Sequence, residues 1–387
     1  MMSNMTEFDY VVAGGGLQGG LLALALRHHQ PSATIALLER ADRLGGNHTW
    51  CLHDCDIPGT ARPWLRPLLT YRWNGYRILF PNASHTLDDA YSGVSSERLH
   101  EVVRGALEAA EGSELLFGAE VRELGSDRVI LATGEELRGT VVVDARGGRA
   151  RPADAPSGYQ KFFGMELELD EAHGLDLPIV MDARVDQTRG YRFMYVLPMA
   201  ERRVLVEDTY FNESPALDPA PLEGEVRAYA QERGWTISRV VRTEQGVLAM
   251  PWSERIDPPG HGPLQAGYRG GWYHPGTGYS FPIALRLAEF VATRAPGDLF
   301  GPELDRLANA HRRQASFARF LNRLMFRWYP PNRRLPIFER VYRLPVATIR
   351  RFYALELGWR DRWRLLVGRP PPGLSLPYRL RPSPPDA

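Results

Sequence analysis

The spacing of apolar residues divides the chain into stretches with different predicted secondary structure. Apolar runs at residues 8–13 and 34–40 predict buried strands, and the run at 21–29 predicts a helix between them. From about 160 to 250, apolar residues alternate or run over short stretches, as is typical of an antiparallel sheet. After residue 300 the spacing becomes helical. The chain is therefore predicted to be a mixed α/β protein with a helical C-terminal region.

The turn between the first strand and the first helix carries a dinucleotide-binding pattern. Gly14, Gly16 and Gly19 are spaced as G-x-G-x-x-G. Glycines there allow a tight turn and the close approach of a pyrophosphate, and the helix N-terminus supplies aligned N–H groups. The next strand ends at an acidic residue, whose carboxylate can hold ribose hydroxyls. The predicted nucleotide site consists of Gly14, Gly15, Gly16, Leu17, Gly19 and Glu39.

Further segments favour FAD over NAD as the bound nucleotide. A second glycine turn follows the second strand, and residues 141–148 read as a later strand of the same sheet. Residues 271–281 form a Gly- and Pro-rich loop before an apolar helix, whose N-terminus would point at the flavin. This return of distant segments to one site resembles reductase and hydroxylase flavoproteins, a fold-level analogy. The added cofactor residues are Gly45, Gly46, Asn47, His48, Thr277, Gly278 and Tyr279.

The predicted fold class follows from these segments. It is α/β, with a Rossmann-like FAD-binding domain of the reductase and hydroxylase flavoprotein type, an antiparallel β substrate domain and a C-terminal helical region. The predicted boundaries are 1–60, 95–155 and 262–300 for the FAD-binding domain, 61–94 and 156–261 for the substrate domain, 301–375 for the helical, membrane-facing region, and 376–387 for a disordered tail.

Charge is distributed unevenly along the chain. The total is only +1, but residues 312–369 contain 15 arginines and three acidic residues and so carry +12. Such a region suggests an anionic partner, for which we predict a membrane lipid surface and no nucleic acid. Within it, Arg319, Arg323 and Arg327 lie on a different helix face from an apolar stripe. That stripe, formed by Phe317, Phe320, Leu321, Leu324, Met325 and Trp328, would either pack on the core or help the helix dock on lipid.

The two cysteines and the chain's start bear on metal binding and location. Cys51 and Cys55, with His48 and His53, form H-x2-C-x-H-x-C, which could bind zinc but lacks the separated paired ligands of a zinc module. We predict no metal site and two buried thiols. The sequence shows neither a signal peptide nor the ~20 apolar residues of a membrane span. The predicted location is cytoplasmic, peripheral on the cytoplasmic face of the membrane.

Long motifs spread over nearly the whole chain resemble the bacterial lycopene β-cyclases, flavoproteins of carotenoid biosynthesis. Their order along the chain makes the resemblance specific. Departures from the family pattern occur at Gly276, where the family often has Thr, and at residues 246–252, which line the expected substrate pocket. The matching motifs are GGNHTW at 45–50, MDARVDQ at 181–187, GYRFMYVLP at 190–198, LVEDTY at 205–210, HPGTGYS at 274–280, LNR at 321–323, RFY at 351–353 and DRWRLLVGRPPP at 361–372.

The resemblance implies a cyclase that converts the ψ end groups of lycopene, through γ-carotene, to β-rings. It implies non-covalently bound FAD that is required in reduced form, with NAD(P)H as electron source, although the reaction is an isomerisation. An alternative is a flavin-dependent polyprenyl reductase or monooxygenase, and a third possibility is a non-catalytic carotenoid-binding flavoprotein. The oligomeric state is not predicted.

The candidate catalytic residues are Glu207, Asp208 and His274. The resemblance assigns the acid–base role to Glu207. Neighbouring side chains on a strand point to opposite faces, so at most one of Glu207 and Asp208 faces the cofactor. His274 would be either a proton relay or a hydrogen-bonding group that fixes its loop.

Overall fold

The computed structural model describes residues 6–148, 157–253 and 260–375, and the predicted disordered tail at 376–387 lies outside these ranges. The strands in the described residues are β1 (Thr6–Ala13), β2 (Ile35–Glu39), β3 (Thr49–His53), β4 (Tyr71–Trp73), β5 (Tyr76–Phe80), β6 (Ala83–Leu87), β7 (Tyr91–Ser95), β8 (Glu114–Phe117), β9 (Val121–Leu124), β10 (Arg128–Leu131), β11 (Glu136–Asp144), β12 (Ser157–Leu169), β13 (Ile179–Asp182), β14 (Arg192–Ala200), β15 (Arg203–Asn212), β16 (Ile237–Pro251) and β17 (Leu264–Gln265). The α-helices are α1 (Leu17–His29), α2 (Arg62–Leu65), α3 (Ser96–Glu108), α4 (Pro219–Glu232), α5 (Phe281–Ala292), α6 (Pro302–Trp328), α7 (Leu335–Val341), α8 (Val346–Tyr353) and α9 (Trp359–Leu366).

The first sheet contains the strands, glycine turn and helix of the predicted nucleotide-binding frame. Its strand order is β8-β2-β1-β11-β10-β9, with β17 pairing β11. The strands β8, β2, β1, β11 and β17 run parallel, and α1 makes the crossover from β1 to β2. Helices and loops cover both faces of such a sheet, which is why β1 and β2 read as continuous apolar runs. The predicted Rossmann-like frame is confirmed.

The second sheet has the order β16-β12-β15-β14-β13-β5-β6 and is antiparallel except where β13 meets β5. Alternate side chains of its strands pack against α4 on one face, through Leu222, Val226 and Tyr229. Side chains of the other face, among them Phe193 and Phe211, pack with residues of the C-terminal helices such as Phe326. Strands β5 and β6 come from the segment at 61–94, and β3, β7 and β4 form a small separate sheet. The domain boundaries themselves stay a prediction.

Helix α6 does not bury the predicted apolar stripe. Only Met325 of that stripe is buried, and Phe320 is 43% exposed. Small side chains allow the helix to approach its neighbours closely, so the large apolar residues did not mark the packed face. Arg323 is exposed, whereas Arg319 and Arg327 are partly buried. The buried face consists of Leu304, Ala308, His311, Ala315, Ala318, Asn322, Met325 and Phe326.

Helix α9 has an inverted distribution of polar and apolar side chains. Its carboxylate, Asp361, is buried and accepts hydrogen bonds from Arg351 Nε and Nη2, both at 2.7 Å. Meanwhile Trp359, Trp363 and Leu366 are 74%, 64% and 45% exposed. The helix is thus attached by an ion pair and presents aromatic surface outward. No helix in the described ranges is long and apolar enough to cross a membrane.

Candidate active site

One large cavity lies between the first sheet, the loop at 271–281 and the inward face of the second sheet. Its volume is about 1380 Å³. One end is bounded by the glycine turns of the nucleotide-binding frame, and the other by aromatic side chains of the second sheet and of the C-terminal helices. Because the two ends are continuous, a bound dinucleotide and an apolar substrate could meet inside the protein.

The first glycine turn has the shape that a pyrophosphate site requires. A Cβ at Gly14 would lie 2.5 Å from the Ala145 carbonyl oxygen, and one at Gly19 would lie 2.0 Å from the Gly14 carbonyl oxygen, so the backbone packs too closely there for side chains. A Cβ at Gly16, by contrast, would meet no atom within 4 Å. Gly16 lines the cavity as the N-cap of α1, which has no side-chain cap. The turn therefore offers open space beside a helix N-terminus.

The other predicted nucleotide residues fall into two groups. Glu39 lines the cavity while its carboxylate accepts hydrogen bonds from Gly15 N at 2.8 Å and Ala41 N at 3.0 Å. A carboxylate has further lone pairs that remain for a ribose. Leu17, Gly45, Gly46 and His48 also line the cavity. Three predicted residues are not among the lining residues, namely Gly15, Gly19 and Asn47.

The loop at 271–281 brings Thr277, Gly278 and Tyr279 to the cavity wall, just before α5 begins. Asn322 of α6 fixes this loop. Its buried Nδ2 donates to the carbonyl oxygens of Pro275 at 2.8 Å and Pro251 at 3.0 Å. The sequence motif LNR at 321–323 thus has a structural role that its spacing alone did not reveal.

His274 has both ring nitrogens occupied by the backbone. Its Nε2 lies 3.0 Å from the Phe352 carbonyl oxygen, and its Nδ1 accepts from Gly276 N at 3.0 Å. Burial lowers the pKa of His274 to about 4. The ring is therefore neutral and is not among the cavity-lining residues. This geometry supports the loop-fixing role and gives His274 no free nitrogen for proton relay.

The far end of the cavity is aromatic. Several tyrosine hydroxyls are paired with each other, as in Tyr91 with Tyr195 at 2.9 Å and Tyr342 with Tyr353 at 2.6 Å between oxygens. Pairing satisfies the hydroxyls and leaves the ring faces as apolar, electron-rich surface. The aromatic lining consists of His53, Tyr76, Tyr91, Phe162, Phe193, Tyr195, Phe211, Phe338, Tyr342 and Tyr353.

The two neighbouring carboxylates of β15 lie on opposite faces of the second sheet. Glu207 lines the cavity. Asp208 is fully buried on the other side, where Arg192 Nε and Nη2 donate to its two oxygens at 2.7 and 2.9 Å. Asp208 therefore neutralises an arginine, and only Glu207 faces the site.

Glu207 has a second carboxylate as neighbour, which the sequence interpretation missed. Burial, together with the nearby Glu244, raises the pKa of Glu207 well above its usual value. Arg242 Nη1 donates to Glu244 Oε2 at 2.6 Å, and Thr49 Oγ1 donates to the same oxygen at 3.1 Å. Asn47 accepts from Arg242 at 3.2 Å and so contacts this group rather than the cavity. Arg242 and Glu244 are two residues apart on β16, so strand alternation places them on the same face. That spacing was the signal in the sequence from which a charged pair could have been predicted.

The two cysteines are not equivalent. Cys51 is buried, and burial raises its pKa to about 12. Cys55 is exposed, so the prediction of two buried thiols is wrong for this residue. It lies just after β3, where a short 3-10 turn carries it to the surface. Within the described ranges, no cluster of three or more His, Cys, Asp or Glu side chains could hold a metal ion.

Comparison with known proteins identifies the family and the fold of the chain. The family model described as lycopene cyclase protein matches residues 9–376. A lycopene beta-cyclase from Pseudescherichia vulneris is 38% identical over 378 residues, covering 96% of both chains. One from Pantoea ananas is 36% identical over 379 residues, covering 94% of this chain and 95% of the relative. The flavin-dependent brominase Bmp2 shares the fold, with a TM-score of 0.62, 14% identity and coverage of 93% and 97%.

Proposed function

Because this chain belongs to the lycopene cyclase family, we propose that it is a lycopene β-cyclase acting on lycopene and γ-carotene. The observation that carries the proposal is a carboxyl group with a raised pKa, Glu207, in an aromatic cavity continuous with a dinucleotide-binding turn. A polyene end group is apolar and needs a proton to react. The cavity supplies both an apolar lining and an acid.

Ring formation requires the transfer of a proton and no net oxidation. The protonated Glu207 carboxyl group donates its proton to C2 of the terminal C1=C2 bond, which leaves a tertiary cation at C1. The C5=C6 bond then attacks C1, closing the ring and moving the positive charge to C5. Loss of the C6 proton forms the new C5=C6 bond, and the Glu207 carboxylate is the base available to accept it. Substrate and product have the same composition, so the acid is regenerated in each turnover.

The cavity walls suit a carbocation. Aromatic ring faces carry negative electrostatic potential and attract a cation, and Tyr195 is paired directly beside Glu207 in the sheet. Burial raises the pKa of Tyr195 and Tyr91 well above the usual value, so both remain neutral. The rings would stabilise the positive charge without a nucleophilic anion that could trap it.

The glycine turns fit FAD as the cofactor. Gly16 and the N-terminus of α1 would receive the pyrophosphate, Glu39 the ribose, and Thr277 to Tyr279 the flavin end. Bound in its reduced form, with NAD(P)H as electron source, FAD would supply negative charge close to the developing cation. The open space at Gly16 is the structural feature that supports this assignment.

Expression in bacteria that accumulate lycopene tests the proposed function. We expect γ-carotene and β-carotene to appear, identified by pigment chromatography, without stoichiometric consumption of NADPH. A reduced or hydroxylated product formed with equal NADPH consumption would instead indicate a polyprenyl reductase or monooxygenase. Unchanged lycopene bound to purified protein would indicate a carotenoid-binding protein.

We also propose that the protein is peripheral on the cytoplasmic face of the membrane, where an apolar polyene dissolves. Of the nine most exposed large apolar side chains in the described ranges, seven follow residue 319. The same region carries the excess of arginine. Tryptophan favours the membrane interface, and each arginine near an anionic surface contributes ~1 kcal/mol. Helix α9, with Trp359 and Trp363 outward, is therefore the proposed point of contact.

Replacing both Trp359 and Trp363 by Ser should weaken binding to vesicles that contain phosphatidylglycerol. Burial of about half of one ring contributes roughly 2 kcal/mol at ~25 cal/mol per Å². The two rings together contribute about 4 kcal/mol, so affinity should fall by at least ~100-fold. Cosedimentation measures it. Raising salt from ~0.1 to ~1 M shortens the Debye length from about 10 to 3 Å and should also weaken binding.

Phe117→Ser is the matched control, because Phe117 is 37% exposed but lies on β8, in the first sheet. This variant should bind vesicles like the parent. Equal binding by the double tryptophan variant would show that α9 is not the contact.

A further inference from the structure

We propose that Glu207 and Glu244 share one proton across Gly164, and that Glu244 is a positioning residue which, held by Arg242, keeps this proton on Glu207. The inference rests on the proposed function, because it concerns how the acid of that reaction is maintained. It assigns a role to Gly164, Arg242 and Glu244, none of which belongs to the LVEDTY motif.

Strand pairing places these residues in a single row across the second sheet. Tyr195 of β14 pairs with Glu207 of β15, Glu207 pairs with Gly164 of β12, and Gly164 pairs with Glu244 of β16. The two glutamates therefore lie on either side of one intervening strand, β12, and both line the cavity. Neighbouring strands are ~4.8 Å apart, so their Cα atoms are separated by roughly 10 Å. Two extended glutamate side chains can span that distance only by meeting above the middle strand.

Gly164 is the residue that leaves room for this meeting. A Cβ at this position would lie 2.7 Å from Glu207 Cγ and 3.2 Å from Glu244 Cγ. The first distance is shorter than any normal contact, and the side chains on both sides would have to move. Any other residue would thus separate the two carboxyl groups. The φ of Gly164 is outside the left-handed region, so the backbone does not require glycine here. The space that the two glutamate side chains occupy is what excludes a larger residue.

The surroundings of the pair are asymmetric. Glu244 Oε2 accepts from Arg242 Nη1 and from Thr49 Oγ1, so a guanidinium and a hydroxyl donor both lie on the Glu244 side of the pair. Arg242 is itself oriented by Glu166, whose Oε2 accepts from Nε at 2.6 Å. Among the described residues, Glu207 forms no such ion pair. The shared proton therefore belongs to Glu207, with Glu244 as the acceptor of its hydrogen bond.

The remaining titratable groups around the pair do not compete for the proton. Cys51 and the tyrosines at 91 and 195 stay neutral because burial raises their pKa values. Burial lowers the pKa of His48, which is therefore neutral as well. Arg203 and Arg242 both form ion pairs with Glu166. Within this set, Glu207 is the group that loses its proton as pH rises through its raised pKa.

The test compares Glu244→Gln with the parent protein, both loaded with FAD. The parent should lose cyclisation activity as pH rises through the raised pKa of Glu207, since the protonated form is the donor. Removing the neighbouring negative charge lowers that pKa, so the loss of activity in Glu244→Gln should occur at least ~1 pH unit lower. Glu168→Gln is the matched control. It removes a partly buried carboxylate from the same strand, β12, that takes no part in the ion pairs of Arg242 with Glu166 and Glu244, and its pH profile should stay close to that of the parent.

In Gly164→Ala the loss of activity should also occur at lower pH than in the parent, because the added methyl group separates the two carboxyl groups. Infrared difference spectroscopy of the protein without substrate gives a second measurement. The carbonyl band of a protonated carboxylic acid should be present in the parent below the raised pKa of Glu207, absent in Glu207→Gln, and titrate at lower pH in Glu244→Gln. Should Gly164→Ala fail to fold, Glu244→Gln decides alone.

An unchanged pH profile and an unchanged infrared titration in Glu244→Gln would overturn the shared proton while leaving a parent enzyme that cyclises lycopene. A parent protein that shows no cyclisation would overturn the proposed function instead. The infrared titration would still report on the pair, so the two failures are distinguishable.

Discussion

Glu207→Gln should abolish ring formation while leaving FAD and lycopene binding intact. Glutamine has nearly the same shape and hydrogen-bonding capacity, but it cannot transfer a proton at any useful pKa. Positioned acid–base groups contribute ~10²–10⁴-fold in rate, so the loss should be plain when pigments from lycopene-accumulating cells are separated. Flavin absorbance and lycopene retention of the purified variant establish that binding is unaffected.

Asp208→Asn provides the comparison on the same strand. Asp208 faces away from the cavity, and its loss leaves the partly buried Arg192 with Glu225 as its remaining ion-pair partner among the described residues. Breaking a buried ion pair costs on the order of 3 kcal/mol, so this variant should unfold at a lower temperature yet still form β-carotene. If instead Glu207→Gln cyclised lycopene at near the parental rate, the assignment of the acid to β15 would be wrong.

Gly16→Val should yield a folded protein without flavin. A side chain at this position meets no protein atom within 4 Å, and the backbone (φ −75°, ψ −168°) suits valine. The branched side chain would instead occupy the space beside the N-terminus of α1, where a pyrophosphate must approach. We expect the Kd for FAD to rise by at least ~100-fold, which corresponds to about 2.7 kcal/mol. Flavin released by denaturing the purified protein measures the loss.

Gly224→Val is a matched control, because a Cβ at Gly224 also meets nothing within 4 Å. This glycine lies on the exposed side of α4, away from the cavity. The variant should keep its flavin and its melting temperature. Full FAD content in Gly16→Val would contradict the placement of the cofactor.

Sequence reasoning predicted the nucleotide-binding frame because its signals are local. A strand, a glycine turn, a helix and a second strand follow each other within 40 residues. Such a segment commonly folds as two parallel strands joined by a helix, with the glycine turn at the helix N-terminus. The same holds for Glu207 and Asp208, whose opposite orientation follows from strand alternation alone. Both features follow from the local backbone conformation, and neither depends on which distant elements pack together in the folded protein.

Contacts set by the pairing of distant strands could not be predicted in this way. Glu244 meets Glu207 only because β16 and β15 both pair with β12, and the register decides which residue faces which. The role of His274 stayed open because it depends on a carbonyl group of Phe352, 78 residues away. On α6 the apolar pattern left the packed face open, since small side chains mark close packing but contribute little to such a pattern.

The inverted arrangement of α9 also bears on how the protein behaves once it is taken out of the cell. Exposed apolar patches that have no lipid to cover them promote self-association. Copies of the chain in plain aqueous buffer would bury Trp359 and Trp363 against one another, whereas detergent or lipid would compete for the same face. The choice of solubilising agent, more than the stability of the fold, would then set the concentration at which a monodisperse sample can be prepared.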